Sequence, residues 1–105
     1  VKGNERNLKN EKRFSILQKD FETKKCYICG KGYAEIHEVF FGTYKREMSI
    51  KYGCCICLCK EHHTGTNGVH FNKEFDLKLK IAMQKQFEIT YPDLDFLEIF
   101  KRRYY

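Results

Sequence analysis

The chain has 105 residues, with 20 Lys and Arg against 14 Asp and Glu for a formal charge of +6, which allows one domain whose modest core gains from a bound metal ion. The basic excess favours a polyanionic partner, nucleic acid first, against the plainer alternative of a solvated basic surface. No apolar run long enough to span a bilayer and no signal peptide is present, so a soluble, cytoplasmic protein is expected.

Residues 1–12 are polar, charged and aperiodic and read as a flexible arm or an incomplete helix, with residues 13–105 as a single domain. Arg13–Leu17 fits a short strand, while Phe14, Leu17 and Phe21 fit a helical stripe equally well. Cys26 to Gly32 reads as a knuckle, with Gly30 and Gly32 expected to supply positive φ. Glu35–Phe41 reads as a strand, Gly42–Lys51 as a loop carrying Tyr44, Lys45 and Arg46, and Tyr52–Leu58 as a second, cysteine-rich strand of a hairpin-like unit. A short helix starts at Lys60 and is interrupted by Gly65-Thr66-Asn67-Gly68.

From Lys73 onward Phe75, Leu79, Ala82, Met83 and Phe87 recur at helical spacing, and Pro92 ends the run. A second short helix is expected through Leu94, Leu97 and Phe100, with Asp93 and Asp95 in its first turn and Lys101 to Arg103 in its last, so that the C-terminal helices cover about 73–103.

The chemistry concentrates in cysteine and histidine. Cys26-x-x-Cys29 and Cys59-x-x-His62 supply, from two tight turns, the thiolates and imidazole that zinc prefers, so these four read as a structural zinc site. Cys57 in place of His62 is a weaker alternative, because a C-x-C pair on an extended strand lacks the tight turn. Cys54, Cys55 and Cys57 read as small buried residues. In a reducing compartment metal ligation outweighs disulfides. Adjacent histidines point apart, so if His62 faces the zinc, His63 is aimed elsewhere. A second metal site from His37, His63 and His70 follows, weighed against hydrogen-bonded surface histidines. Its donors suit Mg²⁺, Mn²⁺, Ni²⁺ or Zn²⁺.

Cys26-x-x-Cys29-Gly30, His37-Glu38-Val39-Phe40, Leu58-Cys59-Lys60-Glu61-His62-His63 and Gly68-Val69-His70 together resemble the small HNH endonucleases of bacteriophages and mobile elements. The resemblance runs from about Arg13 to the C-terminus, with its specific motifs between Cys26 and His70. It implies an α+β chain with a small ββα-metal fold over about 26–70, braced by a zinc knuckle. It also implies metal-dependent hydrolysis of DNA phosphodiester bonds in a bacterial host cell, leaving 5′-phosphate and 3′-hydroxyl ends, with double-stranded DNA as the expected partner.

By the same resemblance His37 matches the histidine of the first strand and His63 the metal-ligating histidine of the helix. The family places a ligand directly before its base histidine, where this chain has Ile36. With His37 as base, Glu35, Glu38 or His70 must complete the metal site; with His37 as ligand, Glu38 falls at the base position. Imidazole titrates near neutral pH and glutamate does not, which favours His37 as base. The family's central Asn, which braces the loop before the second strand, has no counterpart, since Gly53 or Cys54 stands there. Lys45 and Arg46, on the loop after the active strand with Tyr44 beside them, are the expected phosphate contacts, weighed evenly against a plain exposed charged loop. Two other functions compete: a non-catalytic zinc module that binds nucleic acid or protein, and a thiol redox protein using Cys26-Tyr27-Ile28-Cys29, which lacks the βαβ context it needs.

Overall fold

β1 (Glu35–Glu38) and β2 (Cys55–Leu58) pair antiparallel, with Glu35 opposite Leu58 and His37 opposite Ile56, in the computed structural model, which describes residues 10–105. Between and after them lie α1 (Thr43–Tyr52), α2 (Lys60–His63), α3 (Lys73–Thr90) and α4 (Phe96–Phe100), a small α+β arrangement. Most of the expected N-terminal arm falls outside the described residues. No described helix is long and apolar enough to cross a membrane.

The expected loop at Gly42–Lys51 is instead α1. Glycines bracket it, Gly42 at φ 112 before its start and Gly53 at φ 76 after its end. Its first turn carries Lys45 and Arg46 and no acidic residue, the wrong sign for a helix N-terminus, and its deepest residue is a serine. Ser49 is fully buried and closes a clasp on the chain just after β1: its Oγ accepts from the Phe40 N–H at 3.1 Å and donates to the Phe40 carbonyl at 2.7 Å. The Ser49 carbonyl then accepts from the Cys54 N–H at 2.7 Å, and the Cys54 carbonyl from the Val39 N–H at 2.9 Å.

Both strands are shorter than their apolar runs suggest. β1 stops at Glu38 because the backbone of Phe40 is taken by Ser49, and β2 begins only at Cys55 because Tyr52 still belongs to α1. Arg13–Leu17 is neither strand nor helix beyond one bridge of Ser15 to Cys54. Gly53, which leads into Cys54, is favoured by its φ of 76, a conformation that L side chains rarely adopt. In the knuckle Gly30 has φ 78, but the second left-handed residue is Tyr33 at φ 57 rather than Gly32.

The core lies between the sheet and the C-terminal helices. Phe40, fully buried, meets Phe100 at 4.6 Å, Phe96 at 5.2 Å and Tyr104 at 5.3 Å between ring centroids, while Met83 and Phe87 close the same space from α3. Asn72 caps α3 by accepting from the Phe75 N–H at 3.1 Å. Asp95 caps α4, which ends at Phe100 with Lys101 in the left-handed region, so the basic run expected in its last turn lies beyond it. The phenol of Tyr91 donates to the Tyr52 carbonyl at 2.9 Å, tying the end of α3 to the end of α1.

Removing the Ser49 hydroxyl strands two buried backbone groups of Phe40. The Ser49→Ala variant is therefore expected to lose about 2–3 kcal/mol of stability, read by denaturant unfolding, whereas Ser→Ala at an exposed site changes little.

Candidate metal centres

Two knuckle-like turns bring the first quartet together. The Gly30 N–H bonds to the Cys26 carbonyl at 2.8 Å and the Cys26 N–H to the Lys31 carbonyl at 2.8 Å, which curls Cys26 to Gly30 into a tight loop. That loop docks on β2 through the Tyr27 N–H and the Cys57 carbonyl at 2.7 Å. From the flank Gln18, which is buried, accepts from the Cys57 N–H at 2.7 Å and donates to the Lys25 carbonyl at 2.7 Å. Cys59 ends β2 and leads into α2, where His62 returns toward it.

The donor atoms of Cys26, Cys29, Cys59 and His62 lie within 4.8 Å of one another, and this quartet can hold a metal ion. Cys29 and Cys59 Sγ are 3.8 Å apart, Cys26 Sγ and His62 Nδ1 3.6 Å, and Cys59 Sγ and His62 Nδ1 3.2 Å. Zn–S bonds of about 2.3 Å and a Zn–N bond of about 2.0 Å at tetrahedral angles require edges of about 3.8 and 3.5 Å, and these three edges lie close to those values. All six cysteines are free, and 3.8 Å is far from the about 2.05 Å of a disulfide. Burial pushes the Cys26 thiol up, but N–H groups of Cys59, Cys29 and Ile28 outweigh it and bring it down to about 6. Cys57 is turned away, its Sγ toward the Phe21 carbonyl at 3.6 Å, so it is no ligand here. Burial drives Cys54 well above the usual thiol range and Cys55 to about 12, which keeps both as thiols.

His37, His63 and His70 form the second cluster, also with ring nitrogens within 4.8 Å of one another. His37 comes from β1, His63 from the last residue of α2, and His70 from the loop behind it. Two glycines make that loop possible. A Cβ on Gly68 would stand 2.7 Å from the His63 carbonyl, and one on Gly65 2.6 Å from the Glu61 carbonyl, so the chain folds back against α2 and returns His70 to His63. The two Nε2 atoms are then 3.0 Å apart. His63 Nδ1 meets Glu35 Oε1 at 2.9 Å.

His37 is only 3% exposed, and its Nε2 is buried with no hydrogen-bond partner. Burial, followed by the charge on His63, His70 and Lys80, lowers its imidazole to about 3, so it is neutral at physiological pH. His70 is lowered too, by burial and by His63, with Asp76 opposing. Phe41 covers the cluster from one side, 5.9 Å from His37 and 5.6 Å from His70, with the Lys80 ammonium 4.1 Å over its ring and bonded to Asp76 at 2.7 Å.

Glu38 is not part of this cluster. Neighbours on a strand face opposite ways, and Glu38 lies between Arg13 at 3.3 Å and Arg46 at 3.1 Å. The carboxylate beside the histidines is Glu35, two residues before His37 and on its face. Lys45 and Arg46 sit on α1 rather than on a loop, with Arg46 exposed but joined to Glu38. Ser49 and Gln18, the buried polar residues that fix the strands behind both clusters, carry no sequence signal beyond being polar in semi-apolar stretches. No protein family, curated protein or solved structure was found to match the chain.

The quartet predicts one tightly held metal ion per chain by elemental analysis. Its removal with a chelator should lower the melting temperature and expose thiols that were silent before; rapid reaction of all six in untreated protein would contradict it. A second expectation concerns acid. Because His37 stays neutral in the fold to about pH 3 while an unfolded histidine takes a proton near 6.5, its contribution is complete above about pH 6.5 and is lost as pH falls toward 3. Between those limits the wild type should lose up to about 1.4 kcal/mol per pH unit more than His37→Gln, measured by denaturant unfolding.

Proposed function

We propose that the protein is a metal-dependent endonuclease of the HNH type that hydrolyses DNA phosphodiester bonds, with zinc in the Cys26, Cys29, Cys59 and His62 site as a structural brace. The observation that carries the reading is the second cluster. A buried imidazole with an unpartnered nitrogen, from a strand, faces two converging imidazoles from a helix and its return loop. A surface histidine set has no reason to leave a buried nitrogen without a partner.

Three further features agree. The order of strand, strand and short helix, with α1 inserted between the strands, suits a ββα-metal unit. The brace that the family takes from a central Asn is available from Ser49, whose hydroxyl and carbonyl tie Phe40 to Cys54. The net charge of +6 suits a phosphate backbone, with Lys45 and Arg46 on α1 as candidate phosphate contacts.

In this reading His63 and His70 would hold a divalent cation, which would supply Lewis-acid stabilisation of the charge that develops on the phosphate. His37 Nε2 takes the proton of the attacking water, whose oxygen forms the new P–O bond as the bond to the 3′-oxygen breaks; that oxygen leaves as an alkoxide and takes a proton from a solvent water. The imidazole begins as free base because burial holds it so, and the phosphodiester anion beside it raises its basicity toward the working range. Glu35, not Glu38, is the carboxylate that serves this cluster.

Supercoiled plasmid incubated with the zinc-loaded protein in Mg²⁺, Mn²⁺, Ni²⁺ or Zn²⁺ should be nicked. EDTA should abolish the nicking, and a folded His37→Ala variant should lose about 10²-fold or more. Plasmid binding without nicking by wild type in every cation would instead identify a non-catalytic zinc module.

A further inference from the structure

We propose that Glu35 is a positioning residue for the histidine cluster: it fixes His63 in the tautomer with the proton on Nδ1 and so commits Nε2, as a lone pair, to a shared cation. The inference rests on reading the cluster as a cation site and assigns a role to a side chain that touches neither the cation nor the substrate.

The geometry is specific. Glu35 and His37 occupy the same face of β1, two residues apart, and α2 packs against β1 so that His63 crosses above both. The carboxylate of Glu35 therefore meets Nδ1 of His63 at 2.9 Å, across 28 residues of sequence. A carboxylate accepts and cannot donate, so the ring proton must lie on Nδ1 when His63 is neutral. Nε2 is then an acceptor, and it faces Nε2 of His70 at 3.0 Å. In the cation-free protein His70 donates its Nε2 proton to His63. For His70 to join His63 in holding a cation, its proton would have to sit on Nδ1, which would leave Nε2 of both rings as acceptors.

Two alternatives fail on the same geometry. As a direct ligand Glu35 would have to reach the cation from the far side of the imidazole, because the two ring nitrogens point in diverging directions and Glu35 occupies the outer one. As a plain surface ion pair it would have no reason to select Nδ1 of a side chain that is 14% exposed while being 60% exposed itself. Carboxylate partners on the outer nitrogen orient ligand imidazoles and raise their basicity, and their loss weakens metal affinity by about 10–100-fold.

Full-length protein labelled with ¹⁵N-histidine and carrying zinc in the Cys/His quartet provides the test, with Glu35→Gln and Glu35→Ala beside wild type. Exposure at position 35 lets both variants fold, which melting curves check. Long-range ¹H–¹⁵N spectra should show His63 with its proton on Nδ1 in wild type and in Glu35→Gln, whose amide oxygen still accepts. In Glu35→Ala the population should move toward the Nε2–H tautomer. Calorimetric titration with Ni²⁺ should show a second site in wild type, largely kept in Glu35→Gln and weakened about 10–100-fold in Glu35→Ala.

An unchanged His63 tautomer in Glu35→Ala would overturn the proposal, as would equal loss of Ni²⁺ affinity in both variants, the mark of a direct ligand. Wild type that binds no Ni²⁺ beyond the quartet would sink the cation-site reading itself. Wild type that binds it with an affinity indifferent to Glu35→Ala would sink the positioning role alone.

Discussion

Both clusters able to hold a metal ion depend on a helix of four residues. α2 is too short to be stable by its own hydrogen bonds, since helix nucleation is costly and only longer segments recover it. It is held instead at both ends by things outside it. Cys59 and His62 anchor it toward the knuckle, and the Val69 N–H returns to the His62 carbonyl at 2.8 Å to close the other end. Because His62 and His63 are consecutive, whatever fixes one ring fixes the direction of the other. The Cys/His quartet is therefore the reference frame for the second cluster.

The other half of the frame is the turn after β1. His37 is placed by a strand of four residues, and the chain leaves that strand through Val39 and Phe40, both with no exposed surface. Phe40 is held from two sides, by the backbone clasp of Ser49 and by the rings of Phe96, Phe100 and Tyr104. The C-terminal helices thus act on the site at one remove: they hold Phe40, Phe40 holds the end of β1, and β1 holds His37 and Glu35.

Much of the site was legible because metal chemistry restricts residue type and spacing together. C-x-x-C with C-x-x-H, and the divergence of adjacent histidines, follow from the donor preferences of a cation and the pitch of a turn, and the two groups of side chains assemble as that reasoning implies. α1 was not legible. Its apolar positions are few, its first turn has the wrong charge, and its buried face is led by a serine, so tertiary contacts rather than local preference make it helical. Only the flanking Gly42 and Gly53 mark its ends. Glu38 lies apart from the histidines for a different reason: adjacency to His37 in sequence is opposition in space on a strand, and alternation puts Glu35 beside them. The strand lengths were overestimated because apolar runs report burial and not pairing, and Phe40 is buried while its backbone bonds to a side chain.

The burial of β2 also sorts the thiols. Cys54, Cys55, Cys57 and Cys59 follow one another within a few residues, yet the first three are sealed in the core and Cys59 alone among them reaches the quartet. In the unfolded chain nothing distinguishes them: all are equally accessible and equally acidic, and a soft cation arriving early can be captured by a wrong set, such as Cys55 with Cys57. For a quartet that takes a metal ion, correct loading would be a proofreading problem, in which closure of the sheet over three competing sulfurs leaves only Cys59 to the site. A chain that met such a cation before β2 paired would be exposed to a trap of its own making, because a miscoordinated strand could not bury the thiols that hold the ion.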